Sequence, residues 1–169
     1  ALWDFFPHTV SILLYLIEKY PLRVRANGAS YINNGIEDVV TMDITFPNKI
    51  FATSIASWLY PFKKMKIVVV GEKLYAIFDD YAKNEKLKYF KNKPKIIKGK
   101  AVTENRGCIA PKLKNAKPLT EQLKHFLYCI KNNKVPITNG YEGLKVTSIL
   151  ESAQKSLEKN GSMVKVRIS

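Results

Sequence analysis

The sequence predicts an α+β fold, with a largely antiparallel open sheet and helices packed on one of its faces. Strand-like segments follow one another between residues 22 and 78, and the links between them are short. Strands joined by short links pair antiparallel, because a parallel pair needs a long crossover connection. Helical periodicity is confined to the two ends of the chain, so helices there are the available cover for the apolar face of the sheet.

Local spacing and turn signals predict each element. A helix that is apolar nearly all round, and therefore buried, is predicted from His8 to Tyr20 and is ended by Pro21. Asn139 and Glu142 form a capping-box pattern at the start of the last helix. The other predicted segments are strands at 22–32, 39–46, 50–59, 65–70, 74–78, 86–90 and 163–168, and helices at 119–130 and 140–157.

Length and composition predict one domain over residues 1–169, because 46% of the 169 residues are hydrophobic. Cys108 and Cys129 have neither metal-site nor redox spacing, so no metal is expected and a cytoplasmic protein with free thiols is predicted. The apolar run from Val10 to Ile17 is shorter than a membrane-spanning helix, so no membrane partner is expected. Because the chain begins with Ala1 rather than Met, we expect a piece of a longer protein.

Positive charge is concentrated between residues 83 and 134, which hold 15 basic and 3 acidic residues in a chain of net charge +14. Such a segment attracts polyanions. Its positive residues are almost all Lys, and within the run from Lys83 to Lys100 only Tyr89 and Phe90 are possible stacking rings, so a solvated surface is favoured over nucleic-acid binding. Residues 92–117 are predicted to cross the surface, with one or two short strands around Ile96 and Ile109.

The start of the chain carries an acid and an imidazole at helical spacing. Asp4 and His8 are four residues apart, so they lie on one face of a helix. A carboxylate beside a histidine can move a proton at physiological pH. The residues alone leave a structural alternative open, in which Asp4 only caps the helix and His8 only packs.

Four segments, in order along the chain, resemble the C-terminal domain of the glucose–fructose oxidoreductase, inositol dehydrogenase and MocA (Gfo/Idh/MocA) family. The first is the D-x-x-x-H pattern of Asp4 and His8, and the second is Glu37-Asp38 before a strand. The remaining two are Ser57–Pro61 followed by Lys63–Gly71, and the closing helical pair Pro118–Leu157. The resemblance covers nearly the whole chain.

The resemblance implies an oxidoreductase in which a Rossmann domain holds NAD or NADP and this domain binds a sugar or polyol. It implies that His8 is the acid/base that takes the hydroxyl proton, with Asp4 supporting it. The family's glycine-rich loop and the lysine of its Glu-Lys-Pro motif are not found in this sequence. We therefore expect the cofactor to be bound by a separate Rossmann domain, and this chain to be inactive alone.

The stretches around Trp58 are most similar to members that act on nucleotide-activated sugars. Trp58 and Tyr60 offer flat apolar faces to sugar C–H groups, and Arg23 and Lys63 could meet a diphosphate. The structural alternatives are core packing for Trp58 and an exposed strand edge for Lys63.

Self-association is expected through the open face of the sheet, as in the family, and would give a homo-oligomer. It would cover alternating apolar residues that a lone monomer would leave exposed, namely Ile44, Phe46, Ile55 and Leu59. Two functions compete with the oxidoreductase: a non-catalytic anion- or nucleic-acid-binding module that uses residues 83–134, and a structural self-association domain.

Overall fold

The computed structural model describes residues 1–114 and 116–168, with only the backbone described for 92–96, 101 and 103–106. It divides into two compact units, Ala1–Tyr60 with His125–Ser169, and Pro61–Lys124. The described elements are, in chain order, α1 (Leu2–Ile17), β1 (Arg23–Ala29), β2 (Val39–Thr45), the 3-10 turn Pro47–Lys49, β3 (Phe51–Ser57), β4 (Lys66–Val70), β5 (Leu74–Asp79), β6 (Leu87–Ile97), β7 (Lys100–Ile109), α2 (Pro118–Lys131), α3 (Gly140–Glu158) and β8 (Val164–Lys165).

The predicted α+β class and its antiparallel pairing are confirmed, but the strands form two four-stranded sheets where one was expected. The first sheet has the order β3-β2-β1-β8 and the second has the order β4-β5-β6-β7. Residues 58–65, which include Pro61, separate β3 from β4 and belong to neither sheet. A single domain over residues 1–169 stays a prediction.

The first unit has its core on one face of its sheet. The side chains of β1 alternate, so that Val24 and Ala26 are buried while Arg23 and Arg25 are exposed. Helices α1 and α3 pack against the buried face. The largest completely buried apolar side chains of this core are Phe6, Leu2, Met42, Ile44, Ile149, Val10, Val24 and Val40.

Helix α1 differs from its prediction in both extent and burial. It begins at Leu2 and ends at Ile17, and Glu18 in the left-handed conformation terminates it by donating its N–H to the Leu14 carbonyl. The helix is not buried all round, because Tyr15 and Leu16 are exposed. The buried positions form one stripe at a spacing of four residues, Leu2, Phe6 and Val10.

Helix α3 begins as predicted, with Asn139 as its N-cap. The Asn139 side-chain oxygen accepts hydrogen bonds from the N–H groups of Tyr141 and Glu142 at 2.9 and 3.1 Å. At its other end, Gly161 adopts a φ of +76°, which favours glycine. A Cβ at this position would also clash with Oδ1 of Asn27.

Ser156 fastens the end of α3 to β1. Its side chain is buried, and its Oγ accepts a hydrogen bond from the Ala26 N–H at 2.9 Å while donating to the Ser162 carbonyl at 2.6 Å. The short strand β8 pairs only with Arg23 and Val24 of β1. Beyond that pair, the side chain of Ser156 supplies the acceptor that a neighbouring strand would otherwise provide.

Replacing Ser156 with alanine is therefore expected to leave the Ala26 N–H buried without an acceptor. The free energy of unfolding should fall by about 1–3 kcal/mol, as measured by urea denaturation. Ser162→Ala is the matched control: its exposed hydroxyl bonds only the Lys159 carbonyl, so its loss should stay within about 0.5 kcal/mol. Equal losses for the two variants would contradict this role of Ser156.

In the second unit, β6 and β7 form a long antiparallel hairpin. The strands predicted around Ile96 and Ile109 are present but much longer than expected, so the surface excursion predicted over 92–117 is wrong for residues 92–109. The turn consists of Lys98 and Gly99, with φ values of 51° and 74°. Two successive residues with positive φ suit the two-residue turns that match the twist of the flanking strands. The abundance of Lys and Pro in this segment masked that Lys-Gly turn signal.

Some of the positive charge in residues 83–134 is paired locally. Lys86 and Lys88 form ion pairs of 3.0 Å with Asp80 and Glu85, and the hydrogen bond that Lys88 donates to Glu85 raises the pKa of Lys88. Many of the other basic side chains of the hairpin lie outside the described residues. Binding of polyanions by this segment stays a prediction.

The register of the first sheet corrects part of the predicted exposed apolar set. Ile44 and Phe46 are buried, whereas Ile55 and Leu59 are exposed as predicted. Ile44 pairs with Val24 and therefore shares the buried face, while Ile55 lies on the opposite face. Self-association through this face stays a prediction.

Among the described residues, no helix is long and apolar enough to cross a membrane.

Candidate active site

Asp4 and Trp58, 54 residues apart in the chain, form a hydrogen bond at one end of the first sheet. The Trp58 indole Nε1 donates to Asp4 Oδ2 at 2.8 Å. Asp4 lies in the first turn of α1, and Trp58 directly follows β3. Both side chains are exposed, so the indole is held by the carboxylate at the surface. The structural alternative of core packing for Trp58 is therefore wrong.

His8 lies one turn further along α1, and its side chain is exposed. Because its spacing from Asp4 is four residues, the two side chains belong to the same face of the helix. Pro7 lies inside the helix rather than in its first turn, because α1 begins at Leu2 instead of His8. Pro7 has no N–H to donate to the Trp3 carbonyl, which removes one backbone hydrogen bond from the helix beside His8.

The other tryptophan, Trp3, provides an internal comparison. Its Nε1 donates to Oε1 of Gln154 at 3.1 Å, which links α1 to α3. Both indoles are therefore hydrogen-bonded and partly exposed, but only Trp58 is bound to an acidic side chain. The two indole N–H groups are therefore probes of two separate places in the first unit, one beside Gln154 and one beside Asp4.

The other predicted site residues are Tyr60, Arg23 and Lys63. Tyr60 is exposed and follows Trp58 by two residues. Arg23 lies on the face of the first sheet opposite to α1, because its neighbour Val24 points into the core beneath the helices. Lys63 belongs to the second unit.

Asp38 is a residue whose role sequence analysis missed, although Glu37-Asp38 contributes to the family resemblance. Its carbonyl accepts a hydrogen bond from the Trp58 N–H at 2.9 Å. Its buried carboxylate accepts from the N–H groups of Tyr31 and Ile32 at 2.6 and 2.8 Å. An acid between a turn sequence and an apolar strand was the available signal.

The described residues bear on two kinds of bound group, a metal ion and a dinucleotide. They contain no group of three or more His, Cys, Asp or Glu side chains that could hold a metal ion. Both sheets are antiparallel, whereas the dinucleotide-binding fold needs parallel strands and a crossover helix. Neither described sheet is therefore the parallel sheet of that fold.

Sequence comparison identifies the family of the segment that carries Asp4, His8, Asp38 and Trp58. Residues 1–76 match the family model described as the GFO/IDH/MocA C-terminal domain. These residues belong to the GFO/IDH/MocA family. The predicted resemblance is confirmed. No curated protein matches the sequence.

Solved structures share the fold of this chain over nearly its whole length. UDP-N-acetylglucosamine 3-dehydrogenase GnnA from Acidithiobacillus ferrooxidans has a TM-score of 0.77 at 19% identity, with 94% of this chain and 47% of that chain covered. Aldose-aldose oxidoreductase from Caulobacter crescentus has a TM-score of 0.70 at 22% identity, with coverages of 96% and 46%. Levoglucosan dehydrogenase in complex with NADH has a TM-score of 0.76 at 15% identity, with coverages of 100% and 50%.

At these identities the likeness shows a shared fold. The chain spans about half the length of the solved structures that it matches.

Proposed function

We propose that this chain is the substrate-binding half of an NAD(P)-dependent oxidoreductase that acts on a hydroxyl of a sugar or nucleotide sugar. The observation that carries the proposal is the hydrogen bond between Asp4 and Trp58. It places a flat indole and a carboxylate side by side at the surface, one helical turn from His8. Sugars are bound by this combination, because C–H groups pack on the aromatic face while hydroxyl groups donate to the acid.

In this proposal, Asp4 has two tasks. Its Oδ2 holds the indole of Trp58 in place, and its Oδ1 is available to accept a hydrogen bond from a substrate hydroxyl. Its carboxylate also belongs to the same helix face as the imidazole of His8. Asp4 would thus position the substrate and support the charge that His8 gains.

His8 would act as the acid/base. When a sugar carbinol is oxidised, its hydroxyl loses a proton as its carbon loses hydride, and an exposed imidazole is suited to accept that proton. The nicotinamide that takes the hydride would be held by a separate Rossmann domain, because neither described sheet has the parallel strands of the dinucleotide-binding fold. Levoglucosan dehydrogenase, a structural neighbour, has been solved with NADH.

The proposal can be tested by titrating the ¹⁵N-labelled chain with UDP-N-acetylglucosamine and, separately, with levoglucosan. The chain has two tryptophans, so its spectrum contains two indole N–H signals. At least one of the two sugars should shift the Trp58 signal, with little change at Trp3. Asp4→Asn is expected to weaken that binding about tenfold, because a hydrogen bond to a charged group is lost.

Gln154→Ala is the matched control, because Gln154 holds the other indole at a place where no sugar is expected. It should leave the affinity for the bound sugar unchanged. The proposal is wrong if neither sugar shifts the Trp58 signal, or if the Gln154 variant loses as much affinity as the Asp4 variant.

A further inference from the structure

The loop between β1 and β2 stands beside Trp58. Ala29 pairs with Val39, so the loop spans residues 30–38, and the Asp38 N–H closes it by donating to the Ala29 carbonyl at 2.9 Å. Within the loop, the Ile36 N–H donates to the Asn33 carbonyl at 3.1 Å. Ser57 pairs with Val39 across β2 and β3, which places the next residue, Trp58, opposite Asp38.

The buried carboxylate of Asp38 needs hydrogen-bond donors to offset the cost of its burial. Its side chain is only 1% exposed, and burial of a carboxylate is costly unless the group is hydrogen-bonded. The compensation comes from the loop itself, through the N–H groups of Tyr31 and Ile32 at 2.6 and 2.8 Å from Oδ2. These short, charge-assisted bonds hold the backbone of the loop in one conformation.

The same residue also holds the tryptophan, since its carbonyl accepts from the Trp58 N–H at 2.9 Å. Asp38 therefore holds two segments: its carboxylate holds the backbone of the adjacent loop, and its backbone carbonyl holds the backbone of Trp58. The side chains of Tyr31 and Ile32 are nevertheless exposed, at 74% and 68%. A rigid loop that presents a ring and an aliphatic group to solvent is suited to contact a ligand.

We propose that Asp38 is a positioning residue, and that Tyr31 and Ile32 extend the Trp58 surface so that it selects a substrate larger than a single sugar ring. This inference rests on the proposed function. A sugar stacked on Trp58 would carry its substituent, such as a nucleotide, towards the loop. The ring of Tyr31 would then pack against a planar group of that substituent.

The test compares UDP-N-acetylglucosamine with levoglucosan on the full chain, by the indole signal of Trp58 and by calorimetry. Tyr31→Ala should weaken binding of UDP-N-acetylglucosamine roughly three- to tenfold, the value of one aromatic contact, and leave any binding of levoglucosan unchanged. Tyr15→Ala is the matched control, because Tyr15 is 73% exposed on α1, away from the loop, and its loss should change neither affinity.

Asp38 is tested by Asp38→Asn, which keeps the shape of the side chain and removes its charge. We expect UDP-N-acetylglucosamine to bind at least about tenfold more weakly and the backbone amide signals of Tyr31, Ile32 and Trp58 to move. Asp43→Asn, in the middle of β2, is the control and should preserve both. If Asp38→Asn only lowers stability, and the folded variant binds with unchanged affinity, Asp38 is not a positioning residue.

The outcomes separate this inference from the proposed function. If neither sugar binds the native chain, the proposed function fails and the inference fails with it. If levoglucosan binds and UDP-N-acetylglucosamine does not, or if Tyr31→Ala leaves the affinity for UDP-N-acetylglucosamine unchanged, the inference alone is overturned.

Discussion

Replacing His8 with alanine is expected to lower turnover about 100-fold or more, once the chain is joined to a dinucleotide-binding domain that supplies the nicotinamide. A positioned acid/base accelerates proton transfer by roughly 10²–10⁴-fold, and that contribution is lost with the imidazole. The substrate affinity should change much less, because Trp58 and Asp4 remain in place. Steady-state kinetics would show the loss mainly in kcat.

The variant should still fold, since the His8 side chain is exposed and the buried stripe of α1 does not include it. Its free energy of unfolding is expected to stay within about 0.5 kcal/mol of the native value. Ser11→Ala, also at an exposed position of α1, is the matched control and should keep full turnover. Full turnover of the His8 variant would leave the imidazole without a catalytic role.

Replacing Phe6 with alanine is expected to cost about 3–5 kcal/mol of stability, the range measured when a buried aromatic side chain is removed. Phe6 is 0% exposed and lies at the centre of the stripe through which α1 enters the core. Its ring shares that core with Val24, Met42 and Ile149. Urea denaturation followed by circular dichroism measures the loss, provided that the variant remains folded at low denaturant.

Phe5→Ala is the matched control, because Phe5 is the neighbouring residue of the same helix but is 39% exposed. Its loss should be clearly smaller, since less apolar surface returns to water. If the two variants lose the same stability, the assignment of the buried face of α1 is wrong. The comparison also checks the orientation of Asp4 and His8, which follow from the rotation of the same helix.

Predictions from the sequence were accurate where the signal is local. Three features depend on only a few neighbouring residues: the cap at Asn139, the strand at 39–46 and the spacing of Asp4 and His8. The structure has α3, β2 and α1 at these places. Only short strands around Ile96 and Ile109 are predicted, and their pairing into the long hairpin of β6 and β7 is not, although its turn signal, Lys98-Gly99, is also local. The Lys and Pro content of this segment favours a loop in a prediction from sequence. In the structure, the pairing of the two long strands outweighs that local preference.

The extent of α1 was misjudged for a related reason. The apolar run after His8 was interpreted as the whole helix, but the buried stripe begins with Leu2 and leaves Tyr15 and Leu16 exposed. Which apolar residues of a helix are covered depends on what packs against it. For α1 that is β3 and α3, which lie far along the chain.

The sequence by itself determined the fold class and the acid–imidazole spacing, because strand alternation, short links and helical geometry act over a few residues. Only the tertiary structure joined Asp4 to Trp58 and placed Arg23 on the opposite face of the sheet. The strand register and the helix packing set those relations, and residues 54 positions apart meet only when many weak contacts together select one arrangement.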